Sequence, residues 1–155
     1  MSALVTAALL GVIAFAWRHH RRPRLRFSIS QTRETRLQNP AWDIAVTNNG
    51  WTTARDVAVS MLFSPELAIT ALDHGSRDGR YPLNPPRVEW EGRLWASFEH
   101  QLERPLTRRA VYNLGTFIAQ LPAAETGRWP VRVSASLDGF GPVSATLYLE
   151  LEKPE

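Results

Sequence analysis

The chain contains no cysteine. Disulfide staples, thiol nucleophiles and thiolate metal sites are therefore excluded together. It also lacks a G-x-S-x-G elbow, and its glycines fall singly in turns with no Lys-Ser/Thr after them, so no acyl-transfer site or phosphate-cradling loop is encoded. Long helical stretches are missing from most of the chain, because 11 prolines and 9 glycines are spread along it. Acidic residues are missing from the N-terminal part, where Arg18, Arg21, Arg22, Arg24 and Arg26 cluster with no Asp or Glu among or before them. Removing those five from the 18 basic residues leaves 13 against 15 acids, so the net charge of +3 belongs to this cluster and the chain from Phe27 onward is near neutral. That balance speaks against nucleic acid as a partner, since gripping phosphates needs a positive face on the folded domain.

What is present is a globular composition, 44% hydrophobic and 10% aromatic with six tryptophans. A length of 155 residues accommodates an anchor over 1–22 and one domain over 23–155. Residues 2–17 read SALVTAALLGVIAFAW, without a charge and with only Ser2 and Thr6 polar. As a helix rising about 1.5 Å per residue they span roughly 24 Å, short of the roughly 30 Å hydrocarbon core. Trp17 at the boundary and snorkelling Arg18 extend that span. Ala14-Phe15-Ala16 fits a signal-peptidase pattern, but the positive charge follows the apolar run, where a signal peptide carries it in front. A buried core helix would not be apolar on every face. A transmembrane helix is therefore expected, with Ala7, Ala8 and Gly11 allowing close approach of neighbouring helices. The arginine flank predicts an inner-membrane protein with its N-terminus outside and the following domain in the cytoplasm, and it makes membrane lipids a partner. His19 and His20 point in different directions on a helix and read as interfacial filler.

From Pro23 onward the hydrophobic period becomes two. Leu25, Phe27 and Ile29 predict a first strand, Trp42, Ile44 and Val46 a second, and Val57, Val59, Met61 and Phe63 a third that packs beside or across from the second. Asn48-Asn49-Gly50 is the turn signal between the last two. Leu67–Leu72 reads as a short strand, Asp73–Pro86 as a Gly/Pro-rich loop, Val88–Phe98 as strand material and Ala110–Phe117 as a strand. The run 113–124 also carries helical spacing. At the end Trp129, Val131, Val133, Ala135 and Leu137 answer Val143, Ala145, Leu147, Leu149 and Leu151 across the five-residue loop 138–142. Seven to nine strands suit an all-β immunoglobulin-like sandwich.

The stretch AWDIAVTNNGWTTARDVAVSMLF, through Val46, Asn48, Gly50, Ala54, Val57 and Val59, resembles the bacterial immunoglobulin-like modules known as CARDB and their fibronectin-like relatives. The resemblance covers about 25 residues and implies a fold and a binding role towards proteins, glycans or matrix, with no shared catalytic residues.

Asp73, His74 and Asp78 share one loop and are the best metal candidates, but their spacing matches no calcium or zinc pattern, and turn chemistry explains them. His100 reads as a surface residue. Trp42, Trp90 and Trp129 fall in strand patterns and are assigned to the core, whereas Trp51, after the Asn-Asn-Gly turn, and Trp95, opposite Leu94, Ala96 and Phe98, are the interface candidates. No catalytic residue, cofactor or metal is expected, and no small-molecule substrate is identified. The expected role is that of a non-enzymatic accessory or scaffold subunit bound to other membrane protein subunits, with photosynthetic or respiratory complexes as fitting hosts. The alternative is an envelope module whose domain lies outside the cytoplasm and binds glycan or protein.

Overall fold

The structure, a computed structural model, describes residues 22–32, 39–72, 81–120 and 127–151. The anchor segment, with Ala7, Ala8, Gly11, Trp17, Arg18, His19, His20 and Arg21, lies outside the described residues, as does the loop carrying Asp73, His74 and Asp78. Among the described residues no helix is long and apolar enough to cross a membrane.

Among the described residues nine strands run in the order β1 (Leu25–Thr32), β2 (Ala41–Asn48), β3 (Ala58–Phe63), β4 (Ala68–Ala71), β5 (Arg87–Trp90), β6 (Arg93–Gln101), β7 (Val111–Gln120), β8 (Gly127–Leu137) and β9 (Phe140–Leu151). They form two antiparallel sheets, one ordered β1-β2-β7-β4 and the other β5-β6-β3-β8-β9. The first order matches the A-B-E-D sheet of an immunoglobulin domain, and β3-β8-β9 occupies the C-F-G positions, with the β5-β6 hairpin added on the β3 side. β2 and β3 stand in different sheets, so the Asn48-Asn49-Gly50 signal opens a crossover between layers, and the third strand packs across from the second.

Period-two alternation produces this arrangement directly. Phe27, Ile44, Val46, Val59, Met61, Phe63, Val131, Val133 and Leu149 all face the interior and are buried. The two layers are joined by aromatic rings: Phe63 and Phe98 from one sheet meet Phe117 from the other at centroid separations of 4.9 and 5.2 Å. Tyr81 joins them at 5.5–5.6 Å, and its hydroxyl donates to the Leu114 carbonyl at 2.5 Å. Burying rings of this size contributes on the order of 2–3 kcal/mol each before entropy.

One strand and one hairpin depart from the expected reading. β7 extends to Gln120 as strand, so 113–120 contains no helix. Its helical spacing comes from a bulge opposite Ile44/Ala45. Tyr112 and Leu114 face inward, the bulge leaves Leu114 without a cross-strand partner just before Gly115 (φ 145°), and Phe117 and Ala119 face inward again. The step of three between Leu114 and Phe117 imitates a helix. The final hairpin turns on two residues, Asp138 and Gly139 (φ 71°), and its strands pair Trp129 with Leu149 and Val131 with Leu147. The five-residue loop implied a register two residues looser. An even shift leaves every side chain on its face, so the interior assignment holds although the register does not.

Candidate functional site

The chain enters β1 at one end of the sandwich, and two crossovers between the sheets pass over that same end: 49–57 between β2 and β3, and 102–110 between β6 and β7. They are held together by one buried polar side chain. Asn48 is fully buried at the end of β2. Its Oδ1 accepts hydrogen bonds from the backbone N–H groups of Arg24 (3.1 Å) and Gly50 (2.9 Å), and its Nδ2 donates to the carbonyls of Thr52 (2.8 Å) and Leu106 (2.9 Å). Both donors and both lone pairs of the amide are used, which is how a buried polar group avoids its desolvation cost.

The backbone continues this joint. Asn49 N–H donates to the Arg24 carbonyl (2.8 Å), Arg109 N–H to the Asn48 carbonyl (2.7 Å), and Ala54 and Leu106 exchange a pair of bonds at 3.0 and 2.8 Å. Gly50 is required by close approach, because a Cβ there would strike the backbone of Arg22, Pro23 and Arg24. Asp56 (φ 48°) and Arg109 (φ 61°) hold left-handed backbone in the two crossovers, at a cost of about 1–2 kcal/mol each. The residues that carry the CARDB resemblance thus act together: Asn48 and Gly50 lock the crossover, Ala54 bridges to Leu106, and Val57 and Val59 return the chain to the core.

On this scaffold Trp51 stands 63% exposed, with the Arg108 guanidinium 3.4 Å above the centre of its ring. Arg22, Arg24, Arg26, Arg55, Arg104, Arg108 and Arg109 all occupy this end and are exposed, while the acids of the same loops are Asp56, Glu103 and Asp138. Among the described residues none of these seven arginines is held in an ion pair. Arg55, Arg104, Arg108 and Arg109 of the near-neutral domain thus join Arg22, Arg24 and Arg26 of the N-terminal cluster at one end, a juxtaposition that charge totals along the sequence did not show. Exposed Val111 and Phe140 lie at the same end.

Trp95 is placed differently from the expectation. It lies on the outer face of the five-stranded sheet yet is only 6% exposed. Alternation assigned its face correctly, but β6 is interior to the sheet, flanked by β5 and β3, and its neighbours cover the ring. Trp95 is therefore not an exposed interface residue. Its Nε1–H, like that of Trp90, is buried without a hydrogen-bond partner. Trp42 and Trp129 are core residues as expected, whereas Trp90 is half-buried on the outer face with the Arg132 guanidinium 4.3 Å above it. His100 is half-buried and faces inward, its ring stacked on Tyr112 and its Nε2 sharing a hydrogen bond of 2.8 Å with the Tyr112 hydroxyl. It is not a simple surface residue. On the outer face Ser60, Glu99, Gln101, Ser134, Ser136 and Pro142 line a shallow concavity of about 430 Å3.

Two layers with this strand order place the chain among all-β sandwiches of the immunoglobulin-like kind. No protein-family model matches the chain, and no curated protein does. Among solved structures it is similar to the CARDB domain of a Pyrococcus furiosus protein, crystallised in complex with di-metal ions. The two share 11% identity over 84% of this chain and 94% of that one, with a TM-score of 0.39. Among the described residues no three His, Cys, Asp or Glu side chains are grouped to hold a metal ion.

Proposed function

We propose that the protein is a non-catalytic, single-pass membrane accessory subunit: a helix over 2–17 packs beside helices of partner subunits, and the sandwich braces them at the cytoplasmic face. The apolar run and the arginine flank support the anchor and its orientation. The observation that supports the bracing role is how soon after the apolar run the chain is fixed to the domain. Only residues 18–22 separate Trp17 from Pro23, which is buried, and the next residue is tied to Asn48 through its N–H and to Asn49 through its carbonyl. So short a connection suits a scaffold, which works at close range to the bilayer, better than a ligand-capturing module on a long flexible stalk.

Mass spectrometry of the native assembly extracted in mild detergent tests the role. Partner subunits co-purifying in fixed ratio are expected, and a monomer alone overturns it. A reporter fused after Glu155 tests orientation. Activity confined to the cytoplasm is expected, whereas activity outside it transfers the protein to the envelope-module alternative.

A further inference from the structure

The basic end of the sandwich calls for an occupant. Elsewhere three of the four described arginines meet an acid, Arg87 being the exception: Arg93 meets Glu66 at 2.9 Å, Arg128 meets Glu150 at 2.8 Å, and Arg132 has Glu91 at 3.9 Å. At the crossover end, arginines from three separate chain segments converge without such partners, around a tryptophan that the fold leaves 63% exposed. Loops have no structural need for an exposed indole. The turn after Asn48 is held by polar backbone bonds and by Gly50, and Trp51 contributes no core contact to it. A partly apolar ring flanked by guanidinium groups is the side-chain chemistry of a membrane–water interface, where indoles lie at headgroup level and arginines meet phosphates.

We infer that this end of the domain is a seat for anionic lipid headgroups, with Trp51 lying in the interfacial layer and Arg55, Arg104 and Arg108 contacting lipid phosphates beside Arg22 and Arg24. The inference rests on the anchor reading for its geometry, since the seat is the face through which the chain passes at Arg22–Arg24. It adds that the folded domain itself docks on the bilayer. Charge complementarity selects anionic over zwitterionic lipid, and the exposed indole selects a bilayer surface over duplex nucleic acid, whose grooves and phosphates would leave Trp51 without a role.

The experiment uses the full chain in lipid nanodiscs of phosphatidylcholine with and without phosphatidylglycerol, the lipids brominated high on the acyl chain. The Trp51 signal is the difference between the wild-type chain and Trp51→Phe, which alters an exposed side chain and leaves the fold intact. Quenching of that difference signal is expected in the discs containing phosphatidylglycerol. An Arg55→Gln/Arg108→Gln double variant should weaken it, since each arginine near an anionic surface is worth about fivefold and two shift the docked equilibrium by about 25-fold. Raised salt should weaken it likewise. Resistance to carbonate extraction reports on the anchor separately. A chain that resists extraction but shows no Trp51 quenching overturns the seat and keeps the anchor. A chain that is extracted yet quenched in anionic lipid keeps the seat and overturns the anchor, and loss of both results overturns both. A Trp51 response to duplex DNA without any response to anionic lipid also overturns the seat.

Discussion

At the crossover end Trp51 lies exposed beneath Arg108, whereas on the five-stranded sheet Trp90 lies half-buried beneath Arg132, which reaches it across two intervening strands, with Trp95 nearly covered alongside. Both places combine indole and guanidinium. They differ in what surrounds them. On the sheet, neighbouring strands cover much of the two rings, and glutamates face Arg128 and Arg132. At the crossover end the backbone is satisfied by Asn48, and the side chains are left facing outward. The contrast separates residues that stabilise the domain from residues available to a partner.

Substitutions sharpen that contrast. The largest effect is expected for Asn48→Ala, which strips two N–H groups and two carbonyls of their partner at once and should cost about 3–5 kcal/mol, read from chemical unfolding of the full chain in detergent. Because the same bonds position Trp51, this variant should also lose the lipid-dependent quenching. A cost under about 1 kcal/mol would mean that water replaces the amide and that the joint is no more than a loop. Next comes the pair of tryptophans. Trp95→Ala should destabilise by about 3 kcal/mol and Trp51→Ala by no more than about 0.5 kcal/mol, in the same unfolding measurement. Equal effects would erase the distinction between the two regions. Gly50→Ala should cost about 2 kcal/mol by pushing the backbone of 22–24 away from the crossover, and amide exchange should rise at Asn49 and Arg24. The smallest effect belongs to the sheet's charges. Arg93→Ala should change stability by less than about 0.5 kcal/mol, since both members of its pair with Glu66 are more than half exposed.

Much of the fold was legible because alternation is a local property. Leu25, Phe27, Trp42, Ile44, Val46, Val59, Met61 and Phe63 could be assigned to the interior from spacing alone, and they are inside. The errors fall where a single residue is inserted into the ladder. The bulge at Gly115 made a strand resemble a helix, and the tighter hairpin moved the β8–β9 register by two. The exposure of Trp51 was legible because it follows a turn signal. Trp95 was not, because exposure depends on which strands flank β6. The arginines at 104–109 were invisible as part of any site, lying some 80 residues from the juxtamembrane cluster.

By itself the sequence determined the alternating strands, the inward residues, the absence of thiol chemistry and the position of the apolar run. Each of these is written in composition or in short-range spacing. Only the tertiary structure decided that β2 and β3 belong to different layers, that Trp95 is covered and Trp51 is not, and that arginines from three segments share one end. The physical reason is that those outcomes depend on sheet order and on one buried amide, Asn48, whose four hydrogen-bond partners are drawn from residues as far apart as Arg24 and Leu106.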